Sequence, residues 1–284
     1  MKVYGKIVKT LPKKRIIKVQ GKNRIHYLYM SRKLFKDFGP YFFYKPYVFI
    51  NANDEKKQYG NYFCHEINFF NKIVHSAKKE KKVYYNLSTI RKGVRNLLLN
   101  TKNKMFLDLE YSLPSYYQTM THIAEIIQYG IVVEDETGNI IFEDSALVKP
   151  RKRYSLNRRT LKFIGKKKED FAHACSYVEF YKIIKWCIDK YDAKIIAWGR
   201  NDILALETSF TLNHIDALEI RNRYINLMQV IKNYYNYKID LGLFNTYREL
   251  SGVSTEPQRH DALEDALIVR EIYRIFRNKV LSEK

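Results

Sequence analysis

The sequence predicts a small all-β barrel followed by a larger α/β domain. Short runs of alternating apolar and polar residues fill the N-terminal part, a pattern typical of strands in a small barrel. Beyond Met105, strand patterns alternate with helical patterns, which is typical of an α/β fold. We therefore expect a barrel over 1–80, a basic linker with a helix over 81–104 and an α/β domain over 105–284.

The net charge of +21 is concentrated at the N-terminal end of the chain. Residues 1–80 contain 18 Lys and Arg against 5 Asp and Glu, and residues 81–104 contain 7 against none. The remainder, 105–284, is nearly neutral, with 26 basic and 25 acidic residues. Basic residues confined to one end predict a polyanion-binding module there.

The first part is predicted to contain five strands and one short helix. The strands cover 2–9, 14–20, 24–30, 47–52 and 62–75. The helix covers 31–38, after the third strand, and the polar segment 53–60 is predicted as a loop. This order of elements is that of an OB-fold barrel, and a nucleic-acid-binding SH3-like barrel is the alternative.

Aromatic residues alternate with lysine and arginine throughout this part. The set comprises Tyr4, Tyr27, Tyr29, Phe42, Phe43, Tyr44 and Tyr47. Flat aromatic faces stack on unpaired bases, and lysines follow the phosphates of a single strand. For any one of these aromatics the barrel core is the favoured location. We nevertheless expect Tyr27 and Tyr29 to contact nucleic acid.

The second part begins with the strand K-M-F-L-D-L-E at 104–110, preceded by a helix over 88–100. Further strands are predicted over 125–133, 140–148, 194–198 and 224–227. Helices are predicted over 177–191, from 203 onward, over 241–250 and over 261–276. A mixed sheet flanked by helices follows from this order.

Asp108 and Glu110 are separated by Leu109, so in a strand both carboxylates point to the same face. Two close carboxylates repel each other unless a cation lies between them. Hard oxygen ligands of this kind favour Mg²⁺ or Mn²⁺. Taken alone, the motif is weak evidence, because D-x-E occurs often by chance, and a solvated strand end is the favoured interpretation.

Three more residues have the chemistry to join this pair. Asp202 follows the predicted 194–198 strand, where loops gather functional groups. Asp265 lies in the last predicted helix, and His260 precedes it by five residues, about 500° of helical rotation. His260 is therefore placed at the junction of loop and helix, and Asp265 within the first turns.

Three segments resemble the exonuclease motifs of the DnaQ-like 3′–5′ exonucleases, the DEDDh class. They are F-L-D-L-E at 106–110, A-W-G-R-N-D at 197–202 and H-D-A-L-E-D at 260–265. The closer resemblance is to the branch of KapD-like proteins and the exoribonucleases that trim histone mRNA and small RNAs. E-I-I-Q-Y-G at 125–130 and R-T-L-K-F-I-G at 159–165 carry it.

The resemblance covers 104–278 and implies an RNase H-like exonuclease fold for the second part. It implies Asp108, Glu110, Asp202 and Asp265 as ligands of two Mg²⁺ or Mn²⁺ ions. It also implies His260 as general base, a role that a histidine can fill at neutral pH. Around these residues we expect nucleic-acid contacts from Leu109, Tyr111, Trp198 and Arg200.

The expected function is a metal-dependent 3′–5′ exonuclease that releases 5′-mononucleotides from single-stranded RNA or DNA, with RNA favoured by the branch. A DNA proofreading or repair exonuclease is one alternative, and a protein that binds nucleic acid without hydrolysing it is another. Three cysteines without C-x-x-C spacing, and the lack of an apolar run long enough for a membrane span, predict a cytoplasmic protein that binds no membrane. The oligomeric state is left open.

Overall fold

A computed structural model describes residues 1–43, 45–76, 81–85, 87–117, 122–237, 239–253 and 260–283. The chain divides into two compact units, Met1–Gly93 and Val94–Lys284. The division lies inside the segment predicted as a linker. Among the described residues, no helix is both long enough and apolar enough to cross a membrane.

The first unit is built on one sheet. Its strands are β1 (Lys2–Leu11), β2 (Ile16–Gln20), β3 (Ile25–Tyr29), β4 (Tyr47–Tyr59), β5 (Tyr62–Ser76) and β6 (Lys81–Tyr85). A short helix, α1 (Arg32–Phe38), connects β3 to β4 and is capped by the Ser31 hydroxyl. The strands pair in the order β3-β2-β1-β4-β5-β6. Parallel pairing of β3 with β5 closes five of them on themselves.

Two sequence predictions for this unit are wrong. The segment 53–60, predicted as a loop, continues β4 as far as Tyr59, because pairing with β5 extends to Tyr59 and Tyr62. β6 lies in the predicted linker, and its backbone pairs with the far end of β5. Both elements depend on strand pairing over a distance, which overrides the weak strand propensity of polar residues.

Inward-facing aliphatic residues of the first unit form its core, with Ile17, Val48 and Ile50 almost fully buried. Phe42 belongs to this core as expected. The other described aromatics of the set identified from the sequence lie on or near the surface: Tyr4, Tyr27, Tyr29, Phe43 and Tyr47. The preference for a core location is therefore wrong for them, and Tyr44 lies outside the described residues.

Helix α2 (Leu87–Asn100) spans the division between the units. The strands of the second unit are β7 (Lys104–Tyr111), β8 (Ile126–Glu134), β9 (Ile140–Leu147), β10 (Lys194–Ala197) and β11 (Tyr224–Asn226). They pair in the order β11-β10-β7-β8-β9. β10 and β11 run parallel to β7, whereas β8 is antiparallel to both of its neighbours, β7 and β9, so the predicted mixed sheet is confirmed.

Helices flank this sheet on both faces. They are α3 (Arg158–Ile164), α4 (Tyr177–Tyr191), α5 (Asn201–Asn213), α6 (Leu227–Tyr235), α7 (Leu243–Ser251) and α8 (Ala262–Ser282). Helices α4 and α5 pack on the face that carries Leu107 and Leu109. α8 packs on the other face, where the rings of Phe106 and Tyr273 lie 5.5 Å apart. The acidic side chains of β7 therefore point to the face that α8 covers.

Three helix predictions need correction. α5 begins at Asn201 instead of 203, so Asp202 lies in its first turn and not in a loop. α6 follows β11 directly and was not predicted. α8 continues to Ser282, one and a half turns beyond the predicted end, because Phe276 and Val280 remain buried.

Gly130 marks a close approach of α8 to the sheet. It lies opposite Asp108 in the β7–β8 ladder. A Cβ atom added there would lie 2.2 Å from the carbonyl oxygen of Ala262 and 2.4 Å from the nitrogen of Leu263. Because these are backbone atoms at the start of the helix, they cannot move aside without shifting α8. The lack of a side chain at Gly130 thus sets how near α8 lies to β7.

We expect Gly130→Ala to destabilise the second unit by about 1–3 kcal/mol or more, as overpacking does. The measurement is urea unfolding followed by tryptophan fluorescence, which reports on this unit because Trp186 and Trp198 are the two tryptophans of the chain.

Gly93→Ala is the matched control. A Cβ atom at Gly93 meets nothing within 4 Å, and the residue lies inside α2. This exchange should be neutral or stabilising by about 0.5–1 kcal/mol, because alanine favours a helix. Equal stability of the two variants would contradict the account of Gly130.

Candidate active site

Strand β7 fixes the first two carboxylates of the site. Leu107 and Leu109 are buried in the core on one face, so the alternation of the strand directs Asp108 and Glu110 to the other. Glu110 is 6% exposed and Asp108 is half-buried. Neither carboxylate can leave this face while its apolar neighbours remain packed.

Helix α8 brings Asp265 and His260 to the same place. Asp261 caps the helix, with its Oδ1 accepting from the backbone nitrogens of Leu263 and Glu264 at 3.1 and 3.4 Å. Asp265 follows in the first turn and is 4% exposed. His260 precedes the cap in a left-handed conformation, with φ of 51°.

Two side chains from other elements contact the capping residue, Asp261. Gln128 on β8 donates its amide Nε2 to Asp261 Oδ2 at 2.9 Å, and Lys166 Nζ lies 3.8 Å from the same oxygen. The capping role and these partners make Asp261 a structural residue that fixes the start of α8. The structure thus distinguishes it from its neighbour Asp265, whose carboxylate faces the site.

Ligand-type atoms of three residues converge. One atom each of Glu110, His260 and Asp265 lies within 4.8 Å of the other two. His260 Nδ1 is 3.8 Å from Glu110 Oε1. The ring of Phe163, on α3, stacks on the imidazole with their centroids 4.0 Å apart. This stack holds the histidine ring in one plane beside the carboxylates.

Asp202 completes the group from a different element. It lies in the first turn of α5, is 3% exposed, and accepts a hydrogen bond of 3.0 Å from the hydroxyl of Tyr111. The turn before it is shaped by Gly199, whose φ is 95° and whose carbonyl accepts from Tyr224 at 2.8 Å. Trp198 supports the same turn by donating its Nε1 to the carbonyl of Leu241 at 2.9 Å.

The carboxylates act strongly on one another. Desolvation, followed by the charges of Asp202, Asp265 and Glu110, raises the pKa of Asp108 well above its usual range. Desolvation and the charges of Asp265 and Asp202 raise the pKa of Glu110 to about 8. Desolvation raises the pKa of Asp202 to about 6, although the hydrogen bond from Tyr111 acts in the opposite direction. Desolvation lowers the pKa of His260.

The structure therefore brings together all five residues singled out from the sequence as ligands or base: Asp108, Glu110, Asp202, His260 and Asp265.

The residues expected to contact nucleic acid lie in different environments. Leu109 is 2% exposed within the core, which excludes its side chain as a contact and corrects that expectation. Tyr111 and Trp198 use their polar atoms to position Asp202 and its turn. Arg200 is exposed at the start of α5.

Sequence reasoning missed two residues of the site, Gly130 and Phe163, and the role of a third, Tyr111. A glycine inside the strand at Gly130 was a usable signal, since it marks a close backbone approach. Phe163 lies far from His260 in sequence, and no local sequence pattern predicts that their rings stack. The hydrogen bond from Tyr111 to Asp202 depends on where β7 and α5 meet, which the sequence does not give.

A second candidate surface lies in the first unit, on β3 and the β4–β5 turn. The rings of Tyr29 and Tyr59 stack with centroids 3.6 Å apart, and those of Tyr27 and Tyr62 with centroids 5.8 Å apart. Lys18 Nζ lies 4.6 Å from the centre of the Tyr27 ring. Half-exposed aromatic rings next to cations form a surface that suits bases and phosphates.

Several solved structures are similar in fold to the second unit. The nuclease domain of 3′hExo, a DEDDh family member, bound to rAMP is similar with a TM-score of 0.55 at 18% identity, over 63% of this chain and 94% of that one. A 3′-exonuclease in 3′-end recognition of the histone mRNA stem-loop gives 0.55 at 15% identity, over 63% and 65%.

Cell-death related nuclease 4 (CRN-4) gives a TM-score of 0.54 at 21% identity, over 63% of this chain and 64% of that one. No protein-family model matches the sequence, and no curated protein does. At such identities the likeness establishes the fold. The mixed sheet with flanking helices is that of DEDDh-type exonucleases, as the three motifs predicted.

The raised carboxyl pKa values predict how stability depends on pH. Between about 4.5 and about 8 the folded protein binds more protons at Glu110 than the unfolded chain does. Its stability in a chelator should therefore fall as pH rises through this window, by about 1.4 kcal/mol per pKa unit.

Glu110→Gln removes this ionisation, so the variant should gain stability over wild type at pH 8 and gain little at pH 5. Urea unfolding at both pH values, in a chelator, measures the difference. Glu143→Gln, an exposed exchange on β9, is the control and should follow wild type at both. A wild type that is more stable than Glu110→Gln at pH 8 would contradict the assignment.

Proposed function

We propose that the protein is a metal-dependent 3′–5′ exonuclease that releases 5′-mononucleotides from single-stranded nucleic acid. The observation that carries this proposal is the convergence of four carboxylates and a histidine from three separate elements, with the charges of Asp202 and Asp265 raising the pKa of both Asp108 and Glu110. The fold shared with DEDDh-type exonucleases supports it. We take RNA as the favoured polymer, since one similar structure recognises an RNA 3′ end.

The donor set fits divalent cations. Its ligands are carboxylate oxygens, which suit hard cations such as Mg²⁺ and Mn²⁺. Desolvation and the charges of Asp202 and Asp265 raise the pKa of Asp108 and Glu110, so a cation among these acids would be stabilised by relieving that repulsion. We propose that two ions are held by Asp108, Glu110, Asp202 and Asp265. When bound, such a pair activates water and stabilises charge on the leaving 3′ oxygen.

His260 has the properties of a general base. Burial lowers the pKa of its imidazole, so the ring is neutral at pH 7 and able to accept a proton. Its Nδ1 lies 3.8 Å from Glu110 Oε1, so the imidazole is within reach of a water held among the carboxylates. The stack with Phe163 keeps the ring from rotating away during this step.

Tyr111 is assigned a positioning role. Its hydroxyl donates to Asp202 Oδ1 at 3.0 Å and so fixes the orientation of this carboxylate beside β7. Desolvation and the charge of Asp202 raise the pKa of this phenol, which keeps the hydroxyl a donor throughout the usual pH range.

We further propose that the first unit is an OB-like barrel that binds single-stranded nucleic acid, in a cytoplasmic protein. Closure of five strands by parallel pairing of β3 with β5, with α1 between β3 and β4, supports the OB assignment over the SH3-like alternative. The stacked tyrosines and cations around Tyr27 and Tyr29 support the binding role.

The exonuclease is tested with 5′-labelled single-stranded RNA and DNA in Mg²⁺. Wild type should shorten the RNA stepwise, Asp108→Asn should lose activity, and His260→Ala should lower kcat by about 10²–10⁴-fold. Asp216→Asn, an exposed exchange after α5, serves as the control. Binding of both polymers without shortening would instead favour a non-hydrolytic binding protein, and shortening of DNA alone would favour a DNA exonuclease.

The barrel surface is tested by oligonucleotide affinity at several salt concentrations. Tyr27→Ala should weaken binding by about 1–3 kcal/mol, the worth of one stacked base. Lys18→Ala should reduce the slope of log affinity against log salt by about 0.7, the share of one phosphate contact to a single strand. Tyr237→Ala, at an exposed tyrosine of the second unit, is the control. Unchanged affinity and slope would remove this surface from the binding site.

A further inference from the structure

A pocket of about 350 Å³ lies between the segment that follows β7 and helix α3. It is lined by two tyrosines, three cations and two small polar residues: Ser115, Tyr116, Tyr117, Asn157, Arg158, Arg159 and Lys162. None of these lining residues is acidic. The pocket belongs to the second unit, and neither the carboxylate cluster nor the barrel surface includes any of its residues.

The two tyrosines are exposed to an unusual degree. Tyr116 is 67% and Tyr117 is 95% exposed, although each ring could bury a large apolar area. The guanidinium of Arg159 lies 5.4 Å from the centre of the Tyr116 ring and donates to the carbonyl of Pro114 at 3.3 Å. Open aromatic faces beside cations suit a ligand that has both a planar ring and a negative charge.

The walls of this pocket are fixed to each other. Asn157 donates its amide Nδ2 to the carbonyl of Leu113 at 2.7 Å, and the hydroxyl of Thr160 accepts from the backbone nitrogen of Leu113 at 2.9 Å. α3 is thereby pinned to the chain two residues beyond Tyr111, the end of β7. The pocket therefore keeps its position relative to the acidic strand.

Helix α3 also connects the pocket to the histidine of the candidate site. Arg159 and Phe163 are four residues apart, hence neighbours on one face of the helix, about 5–6 Å apart. Phe163 stacks on His260. An occupant of the pocket would thus lie about one helical turn from the base, beside the reacting phosphate and not at it.

We propose that this pocket binds the nucleotide next to the one being removed, with its base on Tyr116 and Tyr117 and its phosphate near Arg158, Arg159 and Lys162. The inference rests on the proposed exonuclease function and specifies a subsite for it. Stacking and phosphate contacts do not read base edges, so the subsite tolerates any sequence. It favours single strands, since a base must be unpaired to lie flat on a ring.

The test uses the full chain with Mg²⁺ and two substrates of the same chemistry. The methyl ester of uridine 5′-monophosphate has one nucleotide and a methoxy leaving group without a ring, so it leaves the pocket empty, whereas an oligouridine octamer fills it. Tyr116→Ala and Arg159→Ala should each raise KM for the octamer roughly tenfold and leave kcat/KM for the ester within about twofold. An unchanged octamer KM, or an equal loss on both substrates, would overturn the proposal.

Two further variants separate stacking from a structural effect. Tyr116→Phe keeps the ring and should restore the octamer KM, and a defect as large as that of Tyr116→Ala would refute stacking. Lys182→Ala removes an exposed cation from α4, away from the pocket, and should match wild type on both substrates. A rise in octamer KM for Lys182→Ala would show that any lost charge has this effect and would overturn the subsite.

Failure of the proposed function gives a different result from failure of the subsite. If wild type hydrolyses neither substrate, the exonuclease proposal fails, and the pocket is judged by fluorescence anisotropy of a labelled octamer in a chelator. Tyr116→Ala should then bind roughly tenfold more weakly than wild type. Equal affinity of the two proteins would overturn the subsite independently of catalysis.

Discussion

The four carboxylates beside β7 repel one another, and the packing of the second unit must hold them together against this repulsion. Asp108 and Glu110 are held by a strand whose other face is core, and Asp202 and Asp265 come from the first turns of two helices. None of these four carboxylates can move away from the others without disrupting packed apolar residues. The acidic side chains are thus held in place before any cation binds, the preorganised state that favours tight and specific binding of an ion.

Helix α8 holds Asp265 against this repulsion, and it is anchored at its start and near its middle. At its start, Gly130 allows a close approach to β8, and the Asp261 cap receives Gln128. About two turns further, Arg270 lies 2.7 Å from Glu134 Oε2, and Lys104 lies 3.0 Å from Glu134 Oε1, all nearly buried. These ion pairs tie the helix to β7 and β8 beyond the site, so that the repulsion near Asp265 does not tilt it away.

The parts of the site that could be predicted from the sequence are those set by local geometry. Strand alternation places Asp108 with Glu110, and helical rotation separates His260 from Asp265. Residues in the first turn after a strand, such as Asp202, meet at the sheet edge for topological reasons. The motif resemblance then adds their order along the chain, and the fold agrees with it.

What could not be predicted depends on contacts between distant segments. The polar half of β4 is a strand only because β5 lies beside it, and the tyrosines of β3 are half-exposed because the inward positions already fill the barrel. The stack of Phe163 on His260 arises where α3 and the start of α8 meet. Neither residue propensity nor hydrophobic periodicity shows which distant segments will contact each other.

We propose that the carboxylate cluster is a cation site whose acids must lose protons before an ion binds. Titration calorimetry of the full chain with Mn²⁺ at pH 7, in two buffers of different ionisation enthalpy, tests it most directly. The account predicts binding of two ions with release of about one proton, seen as a heat that depends on the buffer. An absence of binding, or a heat that is the same in both buffers, would contradict it.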